Sequence, residues 1–354
     1  MAYSEELLNV YKYGLVKQAE KIRNNVKHTD FLTKFLFGGH GIVTNQRVYQ
    51  LKVQTKGRPI ANQVAFGSHG VDVDTKEGYK LITARFPYYN EKTPITADEL
   101  AMKCFEEEMG VEFTQQEREL YHLAEKRNEL FNRVVTAVES KQAIELLSKG
   151  TVTVDGVAND FELPKECFYS PSTKLDKASS KQDWLRKVLD NARKGGKMPN
   201  TLLVSADVMQ VILADADLGD QLDNRRIDQK GLKFEAYNSN MVAYHGSLAI
   251  PGYGNVDLVT YDGTYTDSTG AEVLIIPEKT LIACSENIGS INYGGVYDDS
   301  ANGGSVMVDK MFVDTIINDH TNGHPYVLEV EHQSSPLLAP AQMGGWCYVS
   351  GAIA

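Results

Sequence analysis

Asp215, Asp217, Asp220 and Asp223 stand at the short spacings in which oxygen ligands gather around a calcium ion. A calcium loop counted from Asp215 would need glycine where this chain has Asp220 and glutamate where it has Arg226. A solvated acidic helix end accounts for the cluster more simply. His320, His324 and His332 could converge on a metal, but Gly323 and Pro325 break the first pair, so no helical face aligns them. Gly195-Gly196-Lys197 has the start of a phosphate loop, yet Met198 stands where a magnesium-holding hydroxyl is required. Gly246-Ser247-Leu248 lacks the second glycine of a nucleophile elbow, and Ser205 has the position of a helix cap. Cys104, flanked by Met102 and Phe105, suits a helix face better than a reactive thiol. These residues predict no catalytic, cofactor or metal site, and the chain is expected not to be an enzyme.

Composition narrows the classes further. A chain of 354 residues, 42% hydrophobic and 23% charged, has room for about two domains and excludes disordered, collagen-like and coiled-coil architectures. The net charge of −11 opposes a broad grip on phosphate, so nucleic acid is not expected as a sequence-specific ligand. Cys104, Cys167, Cys284 and Cys347 form no C-x-x-C pair, which argues against a zinc module or disulfide framework and for a reducing compartment. The opening MAYSEELLNVYKYGLVKQAEKIRNN has early glutamates and no apolar run before a cleavage site, so export is not expected. Ser334 to Ala354 is uncharged and about as long as a membrane span, but Pro336, Pro340, Gln342, Gly344 and Gly345 interrupt it. No membrane anchor is expected.

The elements then carry the information. Leu7, Leu8, Tyr11, Leu15, Ala19, Ile22 and Val26 predict an amphipathic helix over Glu5 to Lys27. After Gly38-Gly39-His40-Gly41 the pattern alternates, setting Tyr49, Leu51 and Val53 against Val48, Gln50, Lys52 and Gln54. A second strand is predicted from Tyr79 to Phe86, stopped by Pro87. Between the two lie Gly57, Gly67, Gly70 and Gly78 with few large apolar groups, so the unit reads as a long hairpin that needs a partner surface. Thr96 to Glu99 and Thr114 to Glu117 both have the form of a capping box. The first predicts a helix of about three turns. The second opens a stretch free of Pro and Gly until Gly150, bearing Leu120, Leu123, Leu130, Val134, Val138 and Leu146. A strut helix of about 50 Å is expected there, with a break possible near Ser140. TVTVDGVANDFELP reads as a hairpin, SKQDWLRKVLDNARKGG as a helix stopped by Gly195, and TLLVSADVMQVILAD as a buried strand, a Ser205 cap and a helix. Strand signals follow at LAIPG, VDLVTYD, AEVLIIP, KTLIAC, Tyr326 to Glu331 and Trp346 to Val349.

This order of arm, two-stranded loop, strut helix, α/β region and terminal strands resembles the major capsid proteins of tailed bacteriophages, which have the HK97-type fold. The nearest likeness is to lambda-type major head proteins. It rests on Phe35-Leu36-Phe37 with Thr44 to Val48 leading into the loop, Arg85-Phe86-Pro87, NTLLVSADVMQVILAD, and QSSPLLAP with the short hydrophobic tail. The resemblance implies an α+β HK97-type chain divided into an N-terminal arm (1–40), an E-loop (41–87), a P-domain with the spine helix (88–198), an A-domain (199–318) and C-terminal strands (319–354) returning to the P-domain. It implies self-assembly into hexamers and pentamers of an icosahedral shell in the virion, built in the host bacterial cytoplasm. It implies as partners a separate scaffolding protein, a portal and a decoration protein, with packaged double-stranded DNA as cargo. Another virion or tail structural protein, or a mixed α/β enzyme without a recognisable site, remain the alternatives. Residues 38–87 carry seven basic and three acidic side chains, whereas 97–120 carry eight acidic and two basic ones. Arg47, Lys52, Lys56, Arg58, Lys76 and Lys80 are therefore expected to meet Glu106, Glu107, Glu108 and Glu112 of a neighbouring subunit.

Overall fold

The computed structural model describes residues 30–54, 79–102, 114–223, 241–298, 306–319, 327–341 and 344–354. The helix expected over Glu5 to Lys27, Cys104, His320 and His324 fall outside the described residues.

The first element, α1 (Phe31–Phe37), buries Phe31, Leu32, Phe35, Leu36 and Phe37. Strands β1 (Val48–Gln54) and β2 (Tyr79–Arg85) pair antiparallel as the alternation predicts. β3 (Tyr89–Ile95) leads into α2 (Ala97–Ala101), whose Thr96 and Glu99 form the expected capping box. That helix is one turn rather than three: Met102 is extended, with φ −70° and ψ 144°. The box satisfies amides at a helix start and does nothing to prolong the helix, which needs an apolar face to bury.

The strut begins with the second box, where Thr114 N–H donates to Glu117 Oε2 at 2.7 Å. Its first segment α3 (Gln115–Ala137) runs for 23 residues, passes through a six-residue π turn (Val138–Ala143), and continues as α4 (Ile144–Lys149). The anomaly anticipated at Ser140 is thus a widened turn, not a break. Ser140 Oγ–H donates to the Thr136 carbonyl at 2.7 Å, a back-bond that competes with the regular ladder. Gly150 ends the strut at φ 74°, a left-handed cap natural to glycine.

The hairpin β4 (Thr151–Val154) and β5 (Val157–Asp160) turns on Asp155 and Gly156, both at positive φ, as two-residue hairpin turns require. After β6 (Phe168–Tyr169), helix α5 (Lys181–Lys194) starts where Ser180 accepts the Asp183 N–H at 3.2 Å. Then come β7 (Thr201–Val204), α6 (Ala206–Leu213), α7 (Ala216–Gln221), β8 (Leu222–Asp223), β9 (Val242–Ile250), β10 (Gly254–Tyr261), β11 (Thr264–Thr266), β12 (Glu272–Leu274) and β13 (Leu281–Cys284). The chain closes with β14 (Gly289–Tyr293), β15 (Val296–Asp298), β16 (Val306–Val308), β17 (Phe312–Asp319), β18 (Val327–Ser334), β19 (Pro336–Pro340) and β20 (Cys347–Val349). α6 does start after Ser205, but the Ser205 hydroxyl does not cap it. It bonds instead to the backbone N–H and C=O of Thr280, each at 3.1 Å, and so ties β7 to the entrance of β13.

A mixed seven-stranded sheet, in the order β6-β20-β13-β7-β10-β9-β8, forms the centre. Its middle strands are apolar on both faces, which is why TLLV and LIAC read as unbroken runs. Leu203, Val259, Ile282 and Tyr348 share one register row and face the core built by α1, the strut and β19. Leu202, Val204, Leu258, Leu281, Ala283, Cys347 and Val349 face the other way, onto Trp184, Leu185, Val188 and Leu189 of α5 and Val208 and Ile212 of α6. A second sheet, β17-β18-β3, lies along the strut, where Leu130 packs with Ile95 and Val330. The boundary expected at 318 therefore falls inside β17, and the last strand, β20, joins the central sheet rather than β18.

The strut is held by burial rather than by charge. Leu130→Ala is expected to cost about 2–5 kcal/mol and Val134→Ala ~1–3 kcal/mol of unfolding free energy, because both side chains are buried. Denaturant titration of the two variants checks this. Unchanged midpoints would remove the strut from the core.

Candidate subunit interface

The hairpin β1–β2 is rooted firmly. Asn159 of β5 accepts the Arg85 N–H at 2.9 Å and donates to the Arg85 carbonyl at 3.1 Å, while Phe86 N–H donates to the Arg47 carbonyl at 3.1 Å. Ile82, Ala84 and Phe86 point into the core, and the ring of Tyr49 meets Phe86 edge-on at 6.1 Å. The opposite face leaves Val48 and Leu81 exposed, Leu81 at 56%. That outward face is mixed, with Gln50, Thr83 and Arg85 exposed beside Val48 and Leu81. A hairpin of two strands is marginal in water by itself, so a firmly rooted example is suited to a surface supplied by another molecule.

The arm segment reaches this root along β14. Gly39 N–H donates to Gly289 O at 3.2 Å, Tyr293 N–H to Ile42 O at 2.9 Å, and Thr44 N–H to Tyr293 O at 3.0 Å. At Gly41 a Cβ would sit 1.7 Å from the Ile291 carbonyl oxygen, so only glycine permits the approach. The side chains of Ile42 and Val43 remain exposed beside it in the chain.

Further exposed apolar groups lie at β17, an edge strand of the strut-side sheet: Met311 just before it, and Phe312 and Ile316 on either side of Asp314. Between Phe312 and Ile316 the Asp314 carboxylate takes the Arg127 guanidinium of α3 on one oxygen and His332 Nδ1 on the other, the latter at 2.6 Å. Phe131 stands edge-on to both Phe312 and His332. Arg133 and Glu91 pair at 2.8 Å, and Lys126 and Glu99 at 3.3 Å, so the strut is laced to β3 and α2 as well. The Thr96 amide holds the Glu99 carboxyl below its ordinary range, helped by Lys126. Each of these partly exposed pairs contributes only about 0–1 kcal/mol; together they fix register.

Among the expected contact residues, Arg47 lies at the hairpin root with its guanidinium 5.0 Å from the centre of the Tyr88 ring. Lys52 and Lys80 occupy paired strands, opposite Leu81 and Val53. Lys56, Arg58, Lys76, Glu106, Glu107, Glu108 and Glu112 fall outside the described residues. The exposed Phe312 and Ile316 escaped sequence reasoning, although Phe312, Asp314 and Ile316 alternate with Val313 and Thr315 at strand spacing.

The residues first weighed for chemistry have other work. Asp215 caps α7 by accepting the Leu218 N–H at 3.1 Å, and pairs with Lys181 at 2.7 Å, which holds its carboxyl below the usual range. Lys197 donates to the carbonyls of Glu286 and Asn287. Burial pushes the Cys167 thiol up to about 11 and Cys347 to about 12, the reverse of nucleophile activation. Among the described residues no three His, Cys, Asp or Glu side chains are grouped to hold a metal, and no helix is long and apolar enough to cross a membrane.

Among solved structures, the chain is similar to a candidate capsid protein from a prophage of E. coli CFT073, with 16% identity, 99% of each chain covered and a TM-score of 0.67. It is also similar to the cyanophage A-1(L) capsid asymmetric unit, with 12% identity, 91% of this chain and 92% of the other covered, and a TM-score of 0.53. These likenesses establish the α+β HK97-type capsid fold, with α3 to α4 as the spine helix. Comparison with curated proteins finds no match. Residues 15–350 match the family described as phage major capsid protein E, so the chain belongs to that family of structural head proteins.

Proposed function

We propose that this chain assembles into hexamers and pentamers that close an icosahedral head around double-stranded phage DNA, and that the β1–β2 hairpin docks each subunit onto its neighbour. The observation that supports docking is a two-stranded hairpin whose root is fixed by Asn159 and the core while its outward face leaves Val48 and Leu81 uncovered among polar side chains. In this reading residues 1–40 are the arm, 41–87 the E-loop, 88–198 the P-domain and 199–318 the A-domain, with 319–354 returning. Strand pairing favours moving the last boundary to the start of β17 and assigning β20 to the A-domain sheet. DNA is cargo: a net charge of −11 gives the shell little attraction for phosphate and leaves the packaged molecule free to move. A separate scaffolding protein, a portal and a decoration protein complete the proposed partners, with assembly in the host cytoplasm.

Deleting residues 56–70 tests the docking role. The variant is expected to stay a soluble subunit and to form no shells under negative-stain microscopy; normal particles would overturn the assignment.

The charge asymmetry between 38–87 and 97–120 steers that contact in our reading, through a summed field that salt screens. Changing Lys56 and Arg58 to Glu should impair assembly at low salt, and adding Glu106→Lys and Glu107→Lys should partly restore it. Light scattering during assembly reads both effects, and normal assembly of the first variant or no rescue by the second would contradict the pairing.

A further inference from the structure

The π turn of the spine helix places one acid where the arm, the spine and the central sheet meet. Glu139 is fully buried. Its Oε1 accepts the Leu32 N–H of α1 at 2.6 Å and the Tyr261 O–H of β10 at 3.2 Å. Its Oε2 is buried with no hydrogen-bond partner among the described residues. The Leu32 amide belongs to the first turn of α1, whose N–H groups have no partner inside the helix, so Glu139 supplies from another element what α1 cannot supply itself. The same junction is packed by Phe31, whose ring centre lies 5.1 Å from that of Tyr261 and 5.3 Å from that of Phe35.

The charges around the acid do not balance a carboxylate. From α1 and its cap come Asp30, itself buried, and Lys34, whose ammonium is already 2.6 Å from the Asp30 carboxylate. From β10 comes Tyr261, whose own ionisation is pushed far up by burial and then by Glu139. β19, which also packs on the π turn, reads Pro336-Leu337-Leu338-Ala339-Pro340 and brings no titratable group. A buried carboxylate with one oxygen unsolvated and a second acid nearby is costly, and such a group sheds the cost by holding its proton.

We propose that Glu139 is a proton-controlled latch: as the neutral acid it fastens the arm helix α1 to the spine and the central sheet, and its ionisation loosens that junction. The latch acts within one subunit and stands apart from the assembly reading, so either can fail alone. Burial dominates and holds the carboxyl well above the usual carboxylate range; Asp30 adds to this, while the Leu32 amide, the Tyr261 hydroxyl and Lys34 pull the other way. The sign follows. Below the ordinary carboxylate range both folded and unfolded chains carry the proton and the latch contributes fully. As pH rises above about 4.3 the unfolded chain loses its proton first, so the folding constant falls by up to about tenfold per pH unit until the folded acid ionises too.

Glu139→Gln in the full-length subunit is the test, because the amide keeps an acceptor for Leu32 and cannot ionise. Denaturant titrations from pH 5 to 9 should show the variant gaining on the wild type as pH rises, by up to about tenfold in folding constant per unit. Hydrogen exchange over residues 30–39, corrected for intrinsic chemistry, should accelerate with pH in the wild type only. A difference between the two proteins that stays flat with pH, or a variant that loses most stability at high pH, would overturn the latch. Should the amide variant not fold, Tyr261→Phe removes a donor that favours the ionised form. Its onset of exchange at residues 30–39 must then move to higher pH, and an unmoved or lowered onset refutes the proposal.

Discussion

Burial of the central sheet on both faces is the constraint from which the rest of the molecule follows. Strands β7, β10 and β13 offer apolar side chains upward and downward alike, so two separate covers must be found before the sheet can leave water. The chain supplies one locally, as α5 and α6 flank β7 in sequence. The other it gathers from far apart: α1 near the start, the end of the spine in the middle, and β19 near the end. That long-range requirement makes arm, spine and terminal strands one body. It also accounts for an arm helix of seven residues, too short to persist alone, whose apolar side chains are buried among distant elements.

Once the core is closed, what remains outside is informative. The strut-side sheet is covered by α3 on one face, and the hairpin root is tied to β5 by Asn159. Apolar groups left in water include Ile42, Val43, Val48 and Leu81 at the hairpin, Met311 just before β17, and Phe312 and Ile316 on it, all beside backbone that the core already packs. Surfaces of this kind bind without a large ordering cost, which suits a protein that must repeat the same contact many times in one shell.

Much of this was legible in the residues. Both capping boxes form as Thr-x-x-Glu dictates, the Asp155-Gly156 turn takes the backbone that only such a pair accepts readily, and TLLV is buried on both faces as its unbroken apolar run required. The failures share a cause: local chemistry starts an element, and tertiary contact decides its length and partners. Thr96 and Glu99 open a helix that Met102 ends after one turn. Ser205 has the type and position of a cap, but the Thr280 backbone, distant in sequence, claims its hydroxyl. Gly195 does end α5 as expected, though with an ordinary negative φ; what requires glycine there is the backbone of Gly344 and Gly345, which a Cβ would strike at 2.1–2.9 Å. Glu139 looked like any polar residue of a long helix; only the π turn and the arrival of α1 bury it.

The central claim is that the fold is built to be one tile of a closed shell. Negative-stain microscopy of the purified full-length chain, taken through rising protein concentration, addresses it most directly. Hexamers, pentamers or closed shells are the result this account predicts. Persistent monomers at every concentration, or open tubes in place of closed shells, would contradict it.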